Sequence, residues 1–168
     1  GLDIEVITTI ANVCNEKVLS EILTKNNIET VFHAAAYKHV PLLEANVYAS
    51  LINNVLGTRS VVKASIASGV SSLTMISTDK AVRPTNVMGA SKRFAELICQ
   101  VYAKAQNTTN ISMVRFGNVL DSSGSVIPLF RRQISRGGPL TVTHRDVTRY
   151  FMTIPEASQL VIQASSMA

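Results

Sequence analysis

Residues 75–93 read MISTDKAVRPTNVMGASKR. The stretch has three phases. It begins as the end of a β-branched, apolar run, SLTMIS at 72–77, which predicts a buried strand. It passes through Asp79, Lys80 and Pro84, which break the strand. From residue 86 it predicts a long helix, to about residue 106, on which Met88 and Lys92 stand one turn apart. A strand that runs through a polar turn into a helix is half of a βαβ unit, and the rest of the chain repeats the pattern.

Upstream, EVITTI at 5–10 predicts a short strand and residues 15–26 a helix capped by Asn15, with Val18, Leu19, Ile22 and Leu23 as its apolar stripe. ETVFHAAA at 29–36 predicts a strand running into a small-residue turn, and residues 41–69 a helix from Pro41 to Gly69, bent near Gly57. Downstream, NISMVRFG at 110–117 predicts a strand, SVIPLFRRQISRGG at 125–138 a short helix closed by two glycines, and residues 155–168 a last helix. Strands alternating with helices predict a parallel α/β sheet covered on both faces. On the 86–106 helix, Phe94, Leu97, Ile98, Val101 and Ala105 fall on one stripe, the predicted core face, while Met88, Lys92, Cys99 and Tyr102 lie off it and predict a second covered face, against a helix or a partner subunit.

The totals agree with a folded domain. At 168 residues with 46% hydrophobic content, the chain is long and apolar enough for one sizeable core and is not of disordered composition. No apolar run reaches the length of a membrane span, and GLDIEVITTI lacks the basic-then-apolar pattern of a signal peptide. The missing initiator methionine predicts a fragment or a processed chain. Cys14 and Cys99 stand in no metal spacing and predict reduced, buried thiols in a cytosolic compartment. His33 and His39 have no carboxylate or cysteine suitably spaced, so no metal is expected. The net charge of +5 is scattered over loops and helix ends; it argues against nucleic acid as the partner and suits a small molecule bearing a diphosphate.

Ligands of open parallel sheets bind beyond the carboxyl ends of the strands. Three such ends carry polar or small residues: HAAAYKH at 33–39, STDK at 77–80 and RFGNV at 115–119. They are expected to open onto one crevice.

With these segments in place, a family resemblance becomes legible. TDKAVRPTNVMGASKR resembles the active-site segment of extended short-chain dehydrogenases/reductases, in which a tyrosine and a lysine four residues later share one helix. HAAAYKHVPLLEAN, STDKAVRPTNVMGASKR, VRFGNVLDSSGSVIPLF and GGPLTVTHRDVTRYFMTIPEA together resemble the nucleotide-sugar 4,6-dehydratases of polysaccharide biosynthesis, which act on UDP-N-acetylglucosamine. Met88 at the tyrosine position resembles the configuration-retaining branch, often membrane-anchored. The resemblance implies a partial Rossmann-like, doubly wound parallel sheet over residues 1–118 and part of a small substrate-binding region over 119–168. The family's glycine-rich phosphate loop is absent, so the chain is expected to begin in the middle of the nucleotide-binding fold, and Asn12 stands where the family has an aspartate near the adenine.

The reaction so implied is a lyase reaction with NAD as a resident cofactor. The sugar C4 alcohol is oxidised by hydride transfer, the C5 proton and the C6 hydroxyl are then lost as water, and the hydride returns to C6. The elimination needs a base at C5 and an acid at the C6 oxygen; Lys80 is assigned as the base and Asp79 as the acid. Those roles require a lowered lysine pKa and a carboxyl raised by desolvation, or a proton shared by the pair. Met88 cannot take the C4 proton, so a water relayed through Thr78, or Asp79 itself, is expected to do so. Lys92 would hold the cofactor ribose, with Asn12, Val13, His33, Ala34, Ala35, Ala36, Asn54 and Phe116 as further cofactor neighbours. Lys38, Asn118, Ser125, Val126 and Arg149 would hold the UDP-sugar, Arg149 through a charge-assisted fork and Ser125 and Val126 at the start of a helix. Arg131, Arg132 and Arg136 read as a solvated face.

The alternatives left open are a C5-inverting dehydratase or a nucleotide-sugar epimerase on the same scaffold, and a non-catalytic interaction module. Homo-oligomerisation through helices is a further expectation. The resemblance places the protein in the cytoplasm, or on the cytoplasmic face of the membrane through a segment not present in this chain.

Overall fold

The computed structural model describes residues 4–122, 125–142 and 144–167. The SSGSV stretch at 122–126 therefore lies partly outside the described residues. Three parallel strands, β1 (Thr30–His33), β2 (Ser72–Thr78) and β3 (Asn110–Phe116), form the main sheet in the order 1-2-3. The register pairs His33 with Met75, Ser77 with Arg115 and Thr78 with Phe116, so the strands deliver their carboxyl ends to one edge.

Helix α1 (Glu16–Lys25) opens on Asn15, whose side chain accepts from the Val18 N–H, as the sequence predicts. The expected 41–69 helix is present in pieces: α2 (Val40–Ala45), α3 (Val47–Ser50), a π-helical turn over Leu51–Leu56, and α4 (Gly57–Ala67). Asn46 interrupts it by turning its amide onto the Leu42 carbonyl, and the wide turn ends where Gly57 meets Val13. A one-turn 3₁₀ segment, Asp79–Ala81, follows β2, and α5 spans Val87–Ala105. Beyond β3 come β4 (Asn118–Val119), α6 (Val126–Ser135), β5 (Phe151–Met152) and α7 (Ile154–Ser166), the last opened by a Thr153–Glu156 capping box. The short parallel β4–β5 pair was not anticipated; two residues are too few to show alternation.

Two expectations are corrected. Residues 5–10 form no strand: Val6, Ile7 and Ile10 are exposed and no described strand ladders with them. β propensity needs a hydrogen-bonded neighbour to become a strand. On α5 the predicted core stripe faces outward, with Phe94 56% and Val101 64% exposed. The buried face is Met88, Ser91, Lys92, Ala95, Glu96 and Cys99. Small residues there let the helix lie close to the sheet, so Ala95 and Cys99 join Val61, Val62, Leu73 and Met75 in the core. The opposite face of the sheet, where Thr74 and Ser112 share a 2.8 Å hydrogen bond, is covered by α7, which packs on β2 and β3.

Candidate functional site

The three strand ends converge on one cleft of about 490 Å³. Of the residues expected there, Ala34, Ala36, Lys38, Thr78, Lys80, Met88, Lys92, Phe116, Asn118, Ser125 and Val126 line it. Pro41, Ile76, Ile127 and Phe151 also line it and were not anticipated; they come from segments adjacent in sequence to the named motifs, or from β5, whose approach is tertiary.

The polar centre is a chain of four side chains. Thr78 Oγ1 donates to Asp79 Oδ1 at 3.0 Å, Lys80 Nζ donates to the same oxygen at 3.0 Å, and Lys80 Nζ also donates to Asn118 Oδ1 at 3.0 Å. The strand end sets this up: Thr78 caps the 3₁₀ turn by accepting from the Lys80 N–H, which throws Asp79 and Lys80 to the same side. The carboxyl raised by desolvation is not what forms here. Burial does push the Asp79 carboxyl up, but the hydrogen bonds from Lys80 and Thr78 outweigh it and hold it below the usual carboxylate range. In this geometry Asp79 is a carboxylate in an ion pair with Lys80.

Met88 and Lys92 both project from α5 into the wall of the cleft, Met88 6% and Lys92 8% exposed. Lys92 Nζ donates to the Ile76 carbonyl at 2.8 Å. Burial lowers its pKa to about 8, with Cys99 and then Glu96 pulling the other way. A thioether stands where proton transfer would need a hydroxyl, so Met88 supplies shape and not a proton.

Two expected neighbours lie behind the cleft wall. Asn54, buried in the π-helical turn, accepts from the Tyr37 N–H at 2.8 Å and donates to the Tyr37 carbonyl and to Ser91 Oγ, each at 3.0 Å. Ser91 in turn donates to the Met88 carbonyl, so Asn54 ties the 34–38 turn to the helix bearing Met88 and Lys92. His33, also buried, lies 2.9 Å from Thr58 Oγ1 through Nε2. Thr58 directs its own hydroxyl hydrogen to the Asn54 carbonyl, so it accepts from His33, whose proton is on Nε2. Burial, reinforced by Lys92, lowers the His33 pKa to about 4 and keeps the ring neutral.

Asn12, Val13, Ala35, Asp79 and Arg149 do not line this cleft, Asp79 being bonded to Thr78 and Lys80, which do. Asn12 is exposed and accepts from the Cys14 N–H, Val13 packs on Gly57, and exposed Arg149 donates to the Thr148 carbonyl. Ser125 Oγ, beside the first turn of α6, is buried with no partner among the described residues. No group of metal-ligating side chains occurs among the described residues, and no helix there is long and apolar enough to cross a membrane.

The parallel sheet, with its flanking helices and the cleft at its carboxyl edge, defines a Rossmann-like α/β fold. The chain belongs to the polysaccharide biosynthesis protein family, whose pattern it matches over residues 1–168. It is 52% identical, over its whole length, to the capsular polysaccharide biosynthesis protein CapD of Staphylococcus aureus, of which it covers 28%. It is 41% identical over 157 residues to a UDP-glucose 4-epimerase of Rickettsia canadensis, covering 92% of this chain and 46% of that protein. Among solved structures, Pen from Bacillus thuringiensis superposes with a TM-score of 0.90 at 39% identity, covering 95% of this chain and 49% of Pen. The dTDP-glucose 4,6-dehydratase DesIV of Streptomyces venezuelae, solved with NAD and TYD bound, superposes at 0.81 with 20% identity, which shows the shared fold, over 89% of this chain and 51% of DesIV. The chain thus spans between about a quarter and a half of these proteins' lengths.

Proposed function

We propose that the protein carrying this chain is an NAD-dependent 4,6-dehydratase of a UDP-N-acetyl-hexosamine, serving glycan or capsule biosynthesis. The observation that carries this reading is the linked Thr78–Asp79–Lys80–Asn118 set, of which Thr78, Lys80 and Asn118 line the cleft together with Lys92 and Met88 while Asp79 is bonded to the first two. An epimerase of this fold family is expected to work through the tyrosine, which Met88 replaces; an elimination needs an acid beside a base, and that pair is here.

The cleft residues suit NAD. Ala34 and Ala36 let a flat ring approach the backbone, and Lys92 has one acceptor among the described residues, leaving donors for ribose hydroxyls. When bound, NAD supplies reversible hydride acceptance. Lys80, its own proton first released to solvent and its hold on Asp79 given up, takes the C5 proton and returns it to C5 as the hydride returns to C6. Asp79 receives the C4 hydroxyl proton through Thr78 and delivers it to the departing C6 hydroxyl, which leaves as water. Thr78, bonded to Asp79, passes on the C4 hydroxyl proton in place of tyrosine. Lys38, Asn118 and the orphaned Ser125 hydroxyl receive the UDP diphosphate. Arg149 would join them only after rotating from its present bond. A second copy packs on the exposed Phe94, Leu97 and Val101 face of α5.

The test is proton NMR of products after the full-length protein is incubated with UDP-N-acetylglucosamine. A 4-keto-6-deoxy sugar with a C6 methyl signal supports dehydration, and its C5 configuration distinguishes retention from inversion. A C4-epimer with no methyl signal would replace this reading by the epimerase, and unchanged substrate by the interaction module.

A further inference from the structure

Glu96 is the most heavily engaged side chain outside the cleft. It is 1% exposed, yet it is an anion, and four donors meet it. Ser77 Oγ and Arg115 Nε donate to Oε1 at 2.6 and 2.7 Å; Arg115 Nη2 and Arg93 Nη1 donate to Oε2 at 2.5 and 2.9 Å. These donors hold its pKa, against the upward push of burial, at about 2. Ser77 and Arg115 are register partners on β2 and β3, the last pair before Thr78 and Phe116 enter the cleft. One helical turn earlier, Lys92 is bonded to the carbonyl of Ile76. Helix α5 is therefore fastened to consecutive residues of β2, Ile76 through Lys92 and Ser77 through Glu96, immediately before the Thr78–Lys80 turn.

We propose that Glu96 is a positioning residue: with Ser77 and Arg115 it locks α5 to the carboxyl end of β2 and sets the field felt by Lys92, so that Lys92 keeps a fixed place and a fixed charge relative to the Thr78–Lys80 turn. This rests on the cleft being the site of the proposed reaction. Of the groups around Lys92, Cys99 and Glu96 are the two that favour its charged form, and Glu96 is the carboxylate of the pair. From β1 comes His33, a neutral ring. On α5 itself, Cys99 is a thiol pushed up to about 12 by burial, and Arg93 is turned onto Glu96. From β3, Arg115 reaches Glu96. The turn after β2 brings Asp79 and Lys80, which neutralise each other, and Lys38 lines the far wall.

Two classes of substitution separate this role from simple bracing, because both loosen the clamp but change its charge in opposite senses. In the full-length protein with ¹³C-labelled lysine, the Lys92 ε-carbon is titrated with neither cofactor nor substrate present. Glu96→Gln is expected to move its midpoint down from about 8, by about one pH unit. Arg115→Met and Arg93→Met leave Glu96 less compensated and move it up. NAD⁺ affinity measured by calorimetry falls for Glu96→Gln at pH 8 and recovers below pH 6.5, where Lys92 regains its proton. An unchanged midpoint in all variants, or movement in one direction for all of them, overturns the proposal. If Glu96→Gln does not fold, the half-exposed Arg93→Met decides it alone: an upward movement supports the proposal and none refutes it. Because the lysine titration needs no turnover, the inference and the dehydratase reading can fail separately.

Discussion

The neutral, buried His33 predicts a loss of stability in acid well above the range where carboxylates titrate. The ring is 3% exposed under the cleft floor, donates to Thr58 and sits near the Lys92 ammonium, so a proton on Nδ1 would be buried beside a like charge. Its pKa is lowered from an ordinary 6.5 to about 4 in the folded protein. A histidine depressed in this way is protonated more readily in the unfolded chain. Its contribution is fully present above pH 6.5 and is lost as pH falls from 6.5 towards 4. At 1.36 kcal/mol per pH unit the gap is worth about 3 kcal/mol, a large part of the stability of an ordinary domain. The perturbation is His33→Gln in the full-length protein, which keeps an N–H donor for Thr58 and cannot titrate. Urea unfolding at pH 7, 6, 5 and 4 is the assay. The wild-type protein should lose about 3 kcal/mol more than the variant across that interval, and most of it between pH 6 and 4.5. Equal slopes for the two proteins, or a His33 ring resonance titrating above pH 6, would refute the reasoning.

Three further outcomes are expected. Lys80→Met should abolish turnover while leaving NAD⁺ binding in place; a rate within about threefold of wild type, under ~1 kcal/mol of barrier, rejects Lys80 as the base. Asn54→Leu, which keeps the heavy-atom branching but is larger and apolar, should lower stability by about 2 kcal/mol or more because the buried Tyr37 N–H and carbonyl lose their partner; a variant with unchanged unfolding midpoint would show that water replaces the amide. Gly89→Ala is expected to cost about 1–3 kcal/mol and most of the turnover. A Cβ there meets the Lys80 carbonyl oxygen far inside van der Waals contact, so the turn holding the acid–base pair must move. Wild-type activity in that variant would mean the turn tolerates displacement.

Much of this protein was legible in its residues because the signals were local. Helix α1 is set by Asn15 and a stripe within eleven residues; α5 is placed within a residue of its expected bounds by Asn86, which caps it on the Gly89 N–H. The convergence of 33–38, 77–80 and 115–118 follows from parallel strand order alone, since a parallel sheet delivers all its carboxyl ends to one edge. The four-residue spacing of Met88 and Lys92 fixes their common face before any packing is known.

Tertiary structure decided what periodicity leaves symmetric. The wheel of α5 shows two faces, one of large apolar residues and one of small and charged ones, and hydrophobicity alone selects the wrong one for the core. The sheet accepts the face with Ser91, Ala95 and Cys99 because a helix can approach it closely there, and because Ser77, Arg115 and the Ile76 carbonyl satisfy the charges of Glu96 and Lys92. No reading along the chain brings residues 77, 96 and 115 together. The charge state of Asp79 likewise depends on where Lys80 points, and the failure of residues 5–10 to form a strand depends on the lack of a neighbour among the described residues. Sequence sets what each segment can form within a few residues of itself; which faces meet, and which charges then survive burial, is a property of contacts between segments far apart in the chain.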